Sequence, residues 1–117
     1  MKQEEFVGAL RDLARDAAVE GVLSVVSNPP GRRPAPELLE LSGWHRQLSD
    51  ADRQRLRRML ELVAHQAVFG VLSVLDGTRQ VEPTLGPKKH FEIRRVSSSG
   101  DSEVLAGPEM APLHELL

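Results

Sequence analysis

The 117-residue chain has no cysteine, no tyrosine, one tryptophan and three phenylalanines. Without cysteine it can form no disulfide framework, no thiolate zinc site and no thiol nucleophile. So few aromatic rings leave little platform for stacking single-stranded nucleic acid. An excess of one charge is also missing. Fifteen basic and 17 acidic residues are interspersed for a net −2, so the chain lacks the electrostatic footprint of a dedicated nucleic-acid or membrane-surface protein. Neither nucleic acid nor membrane is expected as a partner. The opening Met1-Lys2-Gln3-Glu4-Glu5-Phe6 is charged, with no secretory apolar run after it and no lipidation motif. The longest nearly apolar stretch, Ala67 to Leu75, is far shorter than a bilayer span. A cytoplasmic location is expected.

What is present fits one small α+β domain, a length that can bury a core without staples. Over residues 2–27, Phe6, Leu10, Leu13, Ala14, Ala17, Gly21 and Val25 recur at three- and four-residue steps, which predicts an amphipathic helix. The proline-rich residues 28–36 remove backbone donors, stop that helix and form a stiff linker. Glu37 to Leu41 reads as a short helical turn. A second long helix is predicted over 49–76, with Ser49 as its cap and Gly77 as its stop. Its stripe is Leu56, Met59, Leu60, Val63, Ala67, Gly70, Val71 and Val74. With Phe69 and Leu72 on the opposite side, its second half should be buried nearly all round.

The two helices share a repeat. Ala18-Val19-Glu20-Gly21-Val22-Leu23-Ser24-Val25-Val26 matches Ala67-Val68-Phe69-Gly70-Val71-Leu72-Ser73-Val74-Leu75 at all but two positions. Glycine costs a helix interior about 1 kcal/mol relative to alanine. Its recurrence predicts small-residue notches, Gly21 with Ser24 and Gly70 with Ser73, where the helices pack closely.

Beyond Gly77 the pattern turns to strands, about 78–82, 89–96 and 102–106, with turn chemistry at Ser97 to Asp101. Phe91 and Ile93 should face inward, so that His90, Glu92 and Arg94 form a polar strip on the other side. Pro112 suits the start of a short terminal helix over 112–117.

No catalytic constellation emerges from the residues. The four histidines lie on separate elements without ligand spacing, and His65 reads as the partner of Glu61, four residues earlier. No phosphate-cradling glycine motif occurs, so no zinc, flavin or nucleotide is expected. Arg53, Arg55, Arg57 and Arg58 spread round the helix among acidic residues, as on a solvated, ion-paired helix start. Asp76 and Arg79, at the exit from the second helix, are candidate binding residues beside the alternative of a plain helix terminus.

The stretch from Ala67 to Arg79, the run His90-Phe91-Glu92-Ile93-Arg94 and the closing Leu113-His114-Glu115-Leu116-Leu117 resemble small uncharacterised bacterial proteins, over roughly the last two thirds of the chain. In size and layout such proteins are similar to immunity proteins of bacterial toxin systems. The resemblance implies no catalytic residue. Three functions remain open: a non-catalytic module binding a protein partner, of immunity or accessory type; a small-molecule sensor or enzyme with a pocket between helices and sheet, using Asp76, Arg79, His65 or Glu92; and a structural homo-oligomer such as a homodimer, because the helices are more apolar than one small sheet can cover.

Overall fold

The computed structural model describes residues 1–79 and 90–117. Over these the chain is α+β, mostly helical, with one two-stranded antiparallel sheet and a closing 3₁₀ turn. The backbone is helical from Gln3 to Ser27 in three joined pieces: α1 (Gln3–Leu10), a π-helical stretch (Arg11–Asp16) and α2 (Ala17–Ser27). In the π stretch the Ala17 N–H reaches back five residues to the Asp12 carbonyl. That wider turn slips the phase of everything after it. The predicted stripe is therefore only partly buried. Phe6 and Leu10 pack against the core, whereas Leu13 (79% exposed), Ala14, Ala17, Gly21 and Val25 face solvent and Val19 takes the buried position in α2.

A third helix, α3 (Pro36–Arg46), replaces the expected single turn. Pro36 sits in its first turn, where a missing N–H costs nothing. It packs on α2 and buries Ser42 and His45. The last and longest helix, α4 (Asp50–Leu75), begins as predicted: Ser49 Oγ accepts the Asp52 N–H at 3.1 Å, with Asp50 and Asp52 in the first turn. It ends in a Schellman motif. Gly77 adopts φ +77° and donates to the Val74 carbonyl at 3.1 Å, and Thr78 donates to Ser73 at 2.9 Å.

α4 folds back antiparallel along α1 and α2. Its C-terminal Leu72 meets Val7 of α1, and its early Arg57 meets Glu20 of α2. Burial all round its second half does not hold. Leu72 and Ser73 are buried, but Val63 and Val71 are 64% and 60% exposed. With only two long helices side by side, each buries the strip facing the other and leaves the rest open. α4 is also long and apolar enough to cross a membrane by length and composition, which the run Ala67 to Leu75 alone did not suggest.

β1 (Ile93–Val96) pairs with β2 (Ser102–Ala106), with a register irregularity between Ile93 and Arg94. β1 starts later than 89, because His90 to Glu92 approach it outside the ladder. The predicted strand at 78–82 does not form at Thr78 and Arg79, which complete the helix end, and its other residues lie outside the described ones. The turn at Gly100 (φ +91°) closes the hairpin, and the closing helix is a 3₁₀ turn (Leu113–Leu116). The core gathers at one end of the molecule. Val7, Leu72, Ala106 and Leu113 form it, flanked by Phe6, Leu10, Val68, Ile93, Leu116 and Leu117.

Candidate functional site

Four groups of candidate residues stand at different places on this frame. The first is the predicted polar strip. Arg94 and Glu92 do share a side of the hairpin, but they form an ion pair with each other, and Arg94 also donates to Ser102 Oγ at 3.3 Å. The guanidinium fork is thus partly satisfied within the hairpin. His90 is exposed on the approach segment, and Phe91 is 47% exposed instead of inward, because the ladder begins only at Ile93.

The second group centres on Asp76, whose side chain is only 4% exposed. One carboxylate oxygen, Oδ2, accepts both the His114 backbone N–H at 2.9 Å and its ring Nδ1–H at 2.8 Å. This clips the 3₁₀ turn to the end of α4. Arg79, three residues on, lies instead along α4, where a Cβ on Gly70 would come within 3.1 Å of its Nη1. Asp76 and Arg79 thus serve different neighbours. The Asp76–His114 pair was missed from the sequence, since 38 positions separate the two; the signals available were a terminal His after Pro112 and an acid at a helix end.

The edge of His114 meets the ring of Phe69, with centroids 5.2 Å apart, and Phe69 in turn stacks near His65 at 6.2 Å. His65 Nδ1 accepts from Arg15 Nη1 at 3.3 Å. The expected partnership with Glu61 is not made among the described residues, because the antiparallel helix brings Arg15 within reach first. Arg15, Asp16, Val19, Arg58, Glu61, Leu62 and His65 line an open groove of about 460 Å³ between the helices. Asp76, Arg79, His65 and Glu92 therefore do not converge on one pocket between helices and sheet.

The fourth group is the repeat, and here the prediction fails. A Cβ on Gly21 would meet nothing within 4 Å, and on Gly70 it would meet only the tip of Arg79. Ser24 is exposed, while Ser73 is buried and turns its hydroxyl back to the Phe69 carbonyl at 2.9 Å. Neither glycine marks a close approach of the two helices. After the wide π turn, Gly21 and Ser24 of α2 lie on the outside, while in α4 Ser73 is buried and Gly70 lies under Arg79. An almost wholly apolar groove of about 340 Å³ runs between the helices, with Phe6, Leu10 and Ala14 facing Ala67, Val71 and Leu75.

Charged groups tie the frame together at both ends. Arg57 of α4 holds Glu20 of α2, and its hydrogen bond, with its charge, keeps the Glu20 carboxyl below the usual range and raises the guanidinium above its own. Glu103 is held low by hydrogen bonds from the Met1 amino group at 2.7 Å and from Arg95 at 2.9 Å. In the arginine run, Arg55 pairs with Asp52 at 2.7 Å and Arg53 donates to the Arg46 carbonyl at 3.1 Å. Among the described residues no group of three or more His, Asp or Glu is placed to hold a metal. No family model, curated protein or solved structure matches the chain.

Proposed function

We propose that this chain is a non-catalytic protein-binding module whose working surface is the apolar side of its helical hairpin. The observation that carries this is the exposure of Leu13, Met59, Val63 and Val71, each 60% or more open to solvent. Single exposed apolar residues are ordinary, but a contiguous apolar face on two adjacent helices is a surface that favours being covered. The polar strip of the hairpin is the weaker candidate, since Arg94 and Glu92 already occupy each other. A bacterial immunity or accessory protein, acting in the cytoplasm by occupying a partner's surface, is the biological form this reading takes.

The test is affinity capture from the native host with three tagged baits: wild type, Glu92→Ala/Arg94→Ala and Val63→Glu/Val71→Glu, each checked for helicity by circular dichroism. A stoichiometric protein, this chain included, should be held by the first two and lost from the third. Equal retention by all three baits would move the surface elsewhere.

A further inference from the structure

We infer that the partner of this face is a second copy of the same chain, the two helical hairpins closing face to face about a two-fold axis into a four-helix arrangement; this rests on reading the face as a protein-binding surface.

Three observations lead there. The first is size. The chain exposes 8811 Å², whereas a compact monomer of 12.9 kDa exposes ~6,300 Å². Its Cα radius of gyration is 19.0 Å, against ~13 Å for a compact chain of this length. The excess surface, roughly 2,500 Å², is of the order that each subunit of an obligate homodimer buries at most. A second hairpin is a layer that would cover surface of this order.

The second observation is the repeat. A two-fold interface is self-complementary: each patch meets a copy of itself or of its neighbour. Here the two helices carry the same outward set, with Ala18 matching Ala67, Gly21 matching Gly70 and Val22 matching Val71. In whichever order a two-fold axis stacks the four helices, each stripe meets the same alternation of small and β-branched side chains. A Cβ at Gly21 would meet nothing within 4 Å, which leaves that notch free to take a side chain from outside, whereas the Gly70 notch is covered by the Arg79 guanidinium. Gly21, a local cost in a helix interior, acquires a packing reason on this face that it lacks inside the hairpin.

The third is chemistry. From Ala14 through Ala18 to Val22 on one helix, and from Met59 through Val63 and Ala67 to Val71 on the other, no charged residue interrupts the stripe. The groove between them is almost purely apolar. The opposite side of the hairpin carries Arg15, Asp16, Arg58 and Glu61. A dry, uncharged face backed by a charged one is the pattern of a bundle helix with one missing neighbour.

The test is sedimentation equilibrium from low micromolar to several hundred micromolar protein, with wild type, Val22→Arg and Val71→Arg. Both residues are substantially exposed in the single chain, so the variants should keep wild-type helicity. Wild type should have twice the 12.9 kDa chain mass, and each variant should weaken association at least 100-fold. A dimer that both variants leave intact would overturn the proposal by placing the interface elsewhere. A wild type that stays at the chain mass overturns it too. In that case dye binding separates the two readings: a monomer that binds an apolar dye, with Val71→Arg removing the signal, keeps the binding face but not the self-partner, and a monomer that binds none removes both. Pelleting of monomer with phosphatidylcholine vesicles would likewise overturn self-pairing and assign the face, with α4, to lipid.

Discussion

Replacing Asp76 by alanine should detach the C-terminal clip. Its carboxylate accepts two hydrogen bonds from His114, at 2.9 Å from the backbone and 2.8 Å from the ring. Both are formed at a side chain only 4% exposed, against a histidine side chain 13% exposed. Removing the acceptor leaves a backbone N–H and an imidazole N–H without partners in a largely dry place. A buried group left unsatisfied costs about 1–3 kcal/mol. The turn that loses its tether also carries Leu113, fully buried in the core, so the loss should reach the folded whole. At roughly 4 °C per kcal/mol for a chain of this size, Asp76→Ala should lower the melting temperature by ~4–12 °C. Asp76→Asn keeps a carbonyl that can accept from His114 and should lose less. Differential scanning calorimetry on the two variants and on His114→Ala, with the double Asp76→Ala/His114→Ala, completes a cycle in which the losses should be clearly non-additive. A fall of less than about 2 °C for Asp76→Ala, or strict additivity, would refute the clip as an energetic contact.

Other predictions follow from the same geometry. Leu72→Ala should cost about 2–5 kcal/mol in urea unfolding, as for a truncated core leucine, because Leu72 is 1% exposed. Its neighbour Val71, truncated to alanine in dissociated protein, should cost less than about 0.5 kcal/mol, and equal losses would contradict the assigned faces. In the Val71→Arg background, Gly21→Ala should raise the midpoint by about 0.5–1 kcal/mol through helix propensity, since the added Cβ meets nothing within 4 Å; a marked loss would restore the inward notch. Glu20 should titrate below its ordinary value of 4.5 by carboxyl NMR. Because the folded value is the lower one, the Glu20–Arg57 contribution is present above the unfolded carboxylate range and is lost as pH falls through the folded value. Arg57→Ala should return Glu20 to the ordinary range, and an unchanged titration would dismiss the pair.

What could be read from the sequence was local. Ser49 as cap, Gly77 as the helix stop and the turn at Ser97 to Asp101 all rest on backbone chemistry within a few residues, and each stands where that chemistry puts it. The existence of both long helices was equally legible. Which side of each helix would be covered was not. Periodicity reveals an apolar stripe but not the neighbour that buries it, and here the π turn at Arg11–Asp16 slipped the phase of α2 as well. The glycine repeat was therefore visible as a feature, but neither glycine marks the packing of the two helices. Phe91 was placed inward by simple alternation, which fails where the ladder starts late and shifts register at Ile93. The tie between Asp76 and His114 spans 38 positions, and nothing in the local pattern of either residue names the other.

The claim that the apolar face of the hairpin is covered by a second copy can be tested most directly by methionine oxidation. Met59 lies on that face and is 63% exposed in the single chain, and Met1, 43% exposed, lies off it. Hydroxyl-radical footprinting with mass spectrometry, run across a dilution series, reports both methionines in one sample. Protection of Met59 that grows with protein concentration, is abolished by Val71→Arg and leaves Met1 unchanged is the predicted result. Oxidation of Met59 at one constant rate, at every concentration and in both proteins, would contradict it.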